Sequence, residues 1–189
     1  MEPEDLVDAY NKEVASFFEV EPLANIQIVL FDTQKDIIDF YNNNRNDDIT
    51  APNYLVGFSP ENFIYIVRPE GMPSDSDTGP ARFQKVLKHE LVHKYLKNLC
   101  NKSTPSWLVE GTCTYLAKQN KNEVNQKDIS IDLLNNLGHT QDGRKYSVGN
   151  KMVCLIISEF GKDKLFELIR IESTGKRNAE LQKMFVWLS

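Results

Sequence analysis

Histidine and cysteine are scarce in this 189-residue chain, with three of each. Cys100, Cys113 and Cys154 are odd in number and widely spaced, and none belongs to a C-x-x-C pair. That argues against a disulfide framework and against a second, cysteine-based zinc site, and favours buried free thiols. No uninterrupted apolar run approaches the roughly 18–20 residues that span a bilayer, so no membrane span is expected. There is no long basic run, and the net charge is −5. A nucleic-acid partner is not expected of such a chain. The opening residues, Met1-Glu2-Pro3-Glu4-Asp5, are acidic and lack an apolar h-region. They suggest a cytoplasmic protein, or a secreted one whose leader has been removed. Asn101-Lys102-Ser103 matches a glycosylation sequon, which carries little weight without a secretion signal.

What is present is ordinary globular material: 41% hydrophobic and 26% charged residues. This suits one domain, residues 1–189, able to bury a sizeable core. Residues 4–18 carry Leu6, Ala9, Tyr10, Val14 and Phe17 on one helical stripe. The run Ile26 to Phe31 reads as a strand and Lys35 to Tyr41 as a helix. Tyr54 to Phe58 and Phe63 to Arg68 read as strands joined by a Ser59-Pro60-Glu61-Asn62 turn. Pro80 suits the first turn of a helix expected over about residues 81–99. A second helix is expected from the Ser103-Thr104-Pro105 cap to about Asn120. Residues 121–145 are polar and give no clear element. Tyr146 to Phe160 reads as a helix capped by Gly161, followed by helices near 162–172 and 178–188. Strands and helices come first and helices alone follow: an α+β chain, with a mixed lobe at 1–99 and a helical lobe at 100–189.

The informative stretch is His89-Glu90-Leu91-Val92-His93. Two histidines four apart fall on one helical face, where both imidazoles can meet a single zinc ion. Glu90 sits three residues before His93 and can flank the ion without binding it, as a general base must. Zinc then needs one more protein ligand. A metzincin continuation requires a glycine at position 96 and a histidine at position 99. The chain has Leu96 and Leu99 there, so that class is excluded. Glu110 is the stronger remaining donor, with His139 the only other histidine. Residues 94–109 allow the first helix to end, turn at Pro105 and bring a second helix beside it. Gly111, without a Cβ, permits close backbone approach.

His89-Glu-Leu-Val-His93 followed by Pro105-Ser-Trp-Leu-Val-Glu-Gly-Thr-Cys-Thr-Tyr115 resembles the gluzincin zinc metallopeptidases. More narrowly, the chain is similar to the small peptidase-MA-like domains related to thermolysin and aminopeptidase N. The likeness covers about residues 54–189 and is specific at the metal motif. It implies a zincin-like fold: a small mixed sheet plus active-site helix, a helical C-terminal lobe, and zinc in the cleft between. It also implies one zinc per chain held by His89, His93 and Glu110, with Glu90 as base in peptide-bond hydrolysis.

Related enzymes stabilise the oxyanion with a C-terminal tyrosine or histidine, which nominates Tyr146 and, after it, His139. Thr114 is a candidate to orient a metal-bound imidazole. The strand Phe63 to Val67 is a candidate edge for an extended substrate. Gly57-Phe-Ser-Pro-Glu61-Asn62 is one residue too long for the G-x-M-E-N signature of aminopeptidases and reads as a turn. The expectation is therefore an endopeptidase acting on a peptide or protein substrate. The alternative is a catalytically idle, zinc-bound peptide-binding or regulatory module. Oligomeric state is not legible in the sequence.

Overall fold

The computed structural model describes residues 3–44, 50–73, 77–119, 124–138 and 142–188. Among them the chain is mixed α and β, mostly helical, with one three-stranded sheet. It divides into two compact units, Met1–Tyr95 and Leu96–Ser189. Among the described residues, no helix is long and apolar enough to cross a membrane.

The first unit starts with α1 (Pro3–Phe18), whose buried stripe includes Leu6, Val7, Val14 and Phe18. Strand β1 (Gln27–Phe31) leads into α2 (Gln34–Asn43). Thr33 and Asp36 close the N-terminus of α2 with a reciprocal capping box, each side chain accepting from the other's backbone N–H. Then come β2 (Gly57–Phe58), β3 (Phe63–Val67) and α3 (Gly79–Leu96). The sheet order is β1-β3-β2, with β1 parallel and β2 antiparallel to β3. The sheet is therefore mixed, as expected from the sequence. One expectation fails: Phe63–Val67 is the central strand, bonded on both sides, and presents no free edge to a substrate. Alternation divides the strand's side chains. Ile64 and Ile66 are fully buried. Phe63 and Tyr65 join Phe31, Phe40 and Phe58 in an aromatic layer with ring centroids 4.9–6.4 Å apart.

Helix α3 begins two residues earlier and ends three earlier than the sequence suggests. Between Val86 and Leu96 every residue except His93 is buried. Polar groups on such a helix need partners. Lys88 pairs with Glu13 of α1 at 2.7 Å, and Lys94 donates to the Glu61 carbonyl at 2.7 Å.

The second unit holds α4 (Ser106–Leu116), α5 (Ile131–Leu137), α6 (Arg144–Phe160), α7 (Lys162–Arg170) and α8 (Thr174–Leu188). Ser103 does not cap α4. Pro105 occupies that position, and Ser103 instead donates to the Ile171 carbonyl at 3.0 Å. Helix α5 lies in the segment for which the sequence suggests no element, and Ser130 caps it by accepting from the Leu133 N–H. Gly161, at φ 81°, ends α6 as expected.

The crossing of α4 and α6 organises this unit. A Cβ on Gly111 would lie 2.4 Å from the Gly149 carbonyl carbon, and one on Gly149 would lie 2.1 Å from the Trp107 carbonyl oxygen. Gly111 does permit close backbone approach, and within this unit its partner is α6. Arg177, 2% exposed, donates to the carbonyls of Leu168, Ser103 and Ile171 and so caps the C-terminal end of α7.

Candidate functional site

His89 and His93 stand one turn apart on α3 with their Nε2 atoms 3.2 Å from each other. The rings are inclined at 67°. Two donors on a tetrahedral zinc at roughly 2.0–2.1 Å lie about 3.3 Å apart. The two imidazoles therefore already stand at the spacing of a shared tetrahedral ion. His89 is 8% exposed and His93 half-buried.

Glu90, also 8% exposed, accepts a hydrogen bond from the Ser59 hydroxyl at 2.8 Å. Ser59 follows β2 directly, and β2 reaches α3 because residue 57 is glycine. A Cβ there would lie 2.8 Å from Val86 Cγ1 and 3.3 Å from Glu90 Cγ. The turn carrying Ser59 is held from α3 as well. Lys94 bonds the carbonyl of Glu61, whose φ of 40° is left-handed and costs a non-glycine residue roughly 1–2 kcal/mol. One serine hydroxyl thus orients the carboxylate expected to act as base. Nothing in the sequence marks Ser59, since its partner lies 31 positions away.

Glu110 belongs to the second unit, on α4. Its carboxylate lies 3.6 Å from the Lys145 ammonium, with the two side chains 15% and 9% exposed. Cys113, one turn later on the same helix, is fully buried and forms no disulfide. Cys100 and Cys154 are half-buried thiols, also outside any disulfide. Burial pushes the Cys154 thiol up from its ordinary value.

Tyr146 sits in the first turn of α6, half-buried, with the Lys145 ammonium 5.3 Å from its ring centre. Helix α6 opens at Arg144, not at Tyr146. His139 lies outside the described residues. Thr114, a sequence candidate for orienting an imidazole, has its hydroxyl engaged at home. It donates to the Glu110 carbonyl at 2.8 Å and lies 3.0 Å from the Gly111 carbonyl. This back-bonding is the local preference of a threonine inside a helix.

Of the residues nominated from sequence, His89, Glu90 and His93 are brought together on α3, and Glu110, Thr114 and Tyr146 lie in the α4–α6 region. Ser59 and Lys145 were missed. A serine in a turn and a lysine opening a helix carry no periodic or motif signal. No family model, curated protein or solved structure matches the chain.

Proposed function

We propose that this protein is a zinc-dependent peptidase of gluzincin type, most simply an endopeptidase. The observation that carries the reading is the 3.2 Å separation of the His89 and His93 Nε2 atoms beside a carboxylate held in place by Ser59. Both nitrogens are borderline donors suited to zinc. The third ligand is assigned to Glu110. Cys113 on the same helix is the other donor type that zinc accepts.

When bound, zinc polarises a carbonyl and brings a water toward a pKa near 7. The chain's own residues supply the remainder. Glu90 accepts the proton of the attacking water and returns it to the departing amine nitrogen. Ser59 keeps that carboxylate pointed, and Tyr146 is assigned as hydrogen-bond donor to the developing oxyanion.

The test is metal analysis joined to a peptide-library digest, comparing wild type with Glu90→Gln. The expected result is about one zinc per chain in both proteins and turnover in the wild type alone. Full activity in Glu90→Gln removes the proposed base. Protein purified without chelators yet lacking transition metal removes the whole reading. Tight peptide binding without cleavage at full zinc occupancy transfers the chain to the class of idle peptide-binding modules.

A further inference from the structure

The Glu110–Lys145 pair takes no part in the proton transfers of the proposed hydrolysis, yet it is built into the α4–α6 crossing of the second unit. The backbone contact of Gly111 with Gly149 fixes how α4 and α6 cross. Glu110 precedes Gly111 by one residue and Lys145 precedes Gly149 by one turn, so the two side chains emerge on the same side of that crossing. There the ammonium and carboxylate stand 3.6 Å apart, 9% and 15% exposed. At that distance they form an ion contact rather than a hydrogen bond. An ammonium removed from water is costly unless a countercharge stands near it. The Tyr146 ring, 5.3 Å from Nζ, offers the same ammonium a second and weaker resting place.

We infer that Lys145 is the counter-ion of Glu110 in the metal-free protein, and that this ion pair and a divalent cation compete for the one carboxylate. Lys145 is then a positioning residue that sets how tightly the chain holds its metal. The inference rests on the reading that Glu110 is a ligand. Its physical basis is charge. A divalent ion arriving at Glu110 meets a fixed positive charge within a few ångströms, in a partly desolvated place where Coulomb forces are weakly screened. To bind, the ion must displace the ammonium toward the Tyr146 ring and out of contact with the carboxylate. Such a device lowers affinity and keeps the metal exchangeable.

The experiment measures the zinc dissociation constant of the full chain by competition with a chromophoric chelator. It compares wild type, Lys145→Met, Lys145→Gln, Lys145→Arg and Glu110→Gln, each checked for folding by circular dichroism. Zinc should bind about tenfold more tightly to Lys145→Met, and similarly to Lys145→Gln, which retains a polar end if methionine disturbs folding. Lys145→Arg should stay within a few-fold of wild type, and Glu110→Gln should bind about a hundredfold more weakly. The zinc-induced rise in melting temperature should be larger in the neutral variants than in wild type. A merely structural lysine would instead lower the stability of metal-free and zinc-bound protein together. Equal or weaker zinc affinity in both neutral variants, with Glu110→Gln weakened, overturns the inference and leaves the metal site standing. Unchanged affinity in Glu110→Gln overturns the underlying assignment of the ligand.

Discussion

The Ser59 hydroxyl donates a 2.8 Å hydrogen bond to Oε2 of Glu90, across 31 residues of sequence. This bond joins the β2–β3 turn to the helix that carries both histidines. It gives a carboxylate that is 8% exposed a donor that does not neutralise it. A general base works only when its carboxylate is aimed at the proton it takes, and the serine supplies that aim.

Replacing Ser59 by alanine removes the donor and leaves the Glu90 carboxylate short of a partner in a nearly buried place. Stability is expected to fall by about 1–2 kcal/mol in urea unfolding. Under the peptidase reading, kcat falls about tenfold with KM and zinc content little changed, because the base is misaimed rather than absent. A change in KM alone would show that Ser59 serves substrate binding instead.

The α4–α6 crossing tolerates no side chain at its centre. In Gly111→Ala the new methyl would have to enter 2.4 Å from a backbone carbon of Gly149, which cannot turn away as a side chain can. A loss of about 3 kcal/mol is expected, at the upper end of overpacking costs. Gly143→Ala is the control: among the described residues nothing lies within 4 Å of its added Cβ, and its φ is −61°. It should be neutral or slightly stabilising. Equal losses in the two variants would mean that the crossing is looser than its backbone distances indicate.

Acid should weaken the α7–α8 contact. Hydrogen bonds from Lys164, and then from Lys183, hold the Glu180 carboxyl down from 4.5 to about 2. A depressed carboxylate contributes stability that is fully present above its unfolded value and lost as pH falls through its folded one. The contribution of Glu180 should therefore decline between about pH 4.5 and about pH 2. Melting temperature measured across that window should fall more steeply in wild type than in Glu180→Gln. Parallel curves would assign the acid sensitivity to other carboxylates. Because the side chain is 24% exposed and its partners reach solvent, the difference should also shrink with added salt.

Much of the architecture follows from local pattern. The stripe of α1, the β-branched run of β1 and the stop at Gly161 involve residues close in sequence, and each is found within about two positions of expectation. Helix α5 escapes a sequence reading because it is seven residues long and set in polar sequence, although Ser130 three positions before Leu133 is a capping signal. The place of β3 at the centre of the sheet is not legible either. Strand order depends on which edges pair, and Phe63 to Val67 carries the same alternation in either position. The Thr114 hydroxyl bonds the Glu110 carbonyl because a threonine within a helix has its own preceding turn as nearest acceptor.

For the candidate site, the amino-acid order alone determined that two imidazoles and a carboxylate would share a helix. Helical periodicity acts between near neighbours and needs nothing from the rest of the chain. Only the tertiary structure decided that a serine hydroxyl would meet Glu90, and that an ammonium would meet Glu110. Those partners are brought together by two glycine contacts: Gly57 against α3 and Gly111 against Gly149. In each, the missing Cβ lets a backbone come near enough for side chains remote in sequence to touch.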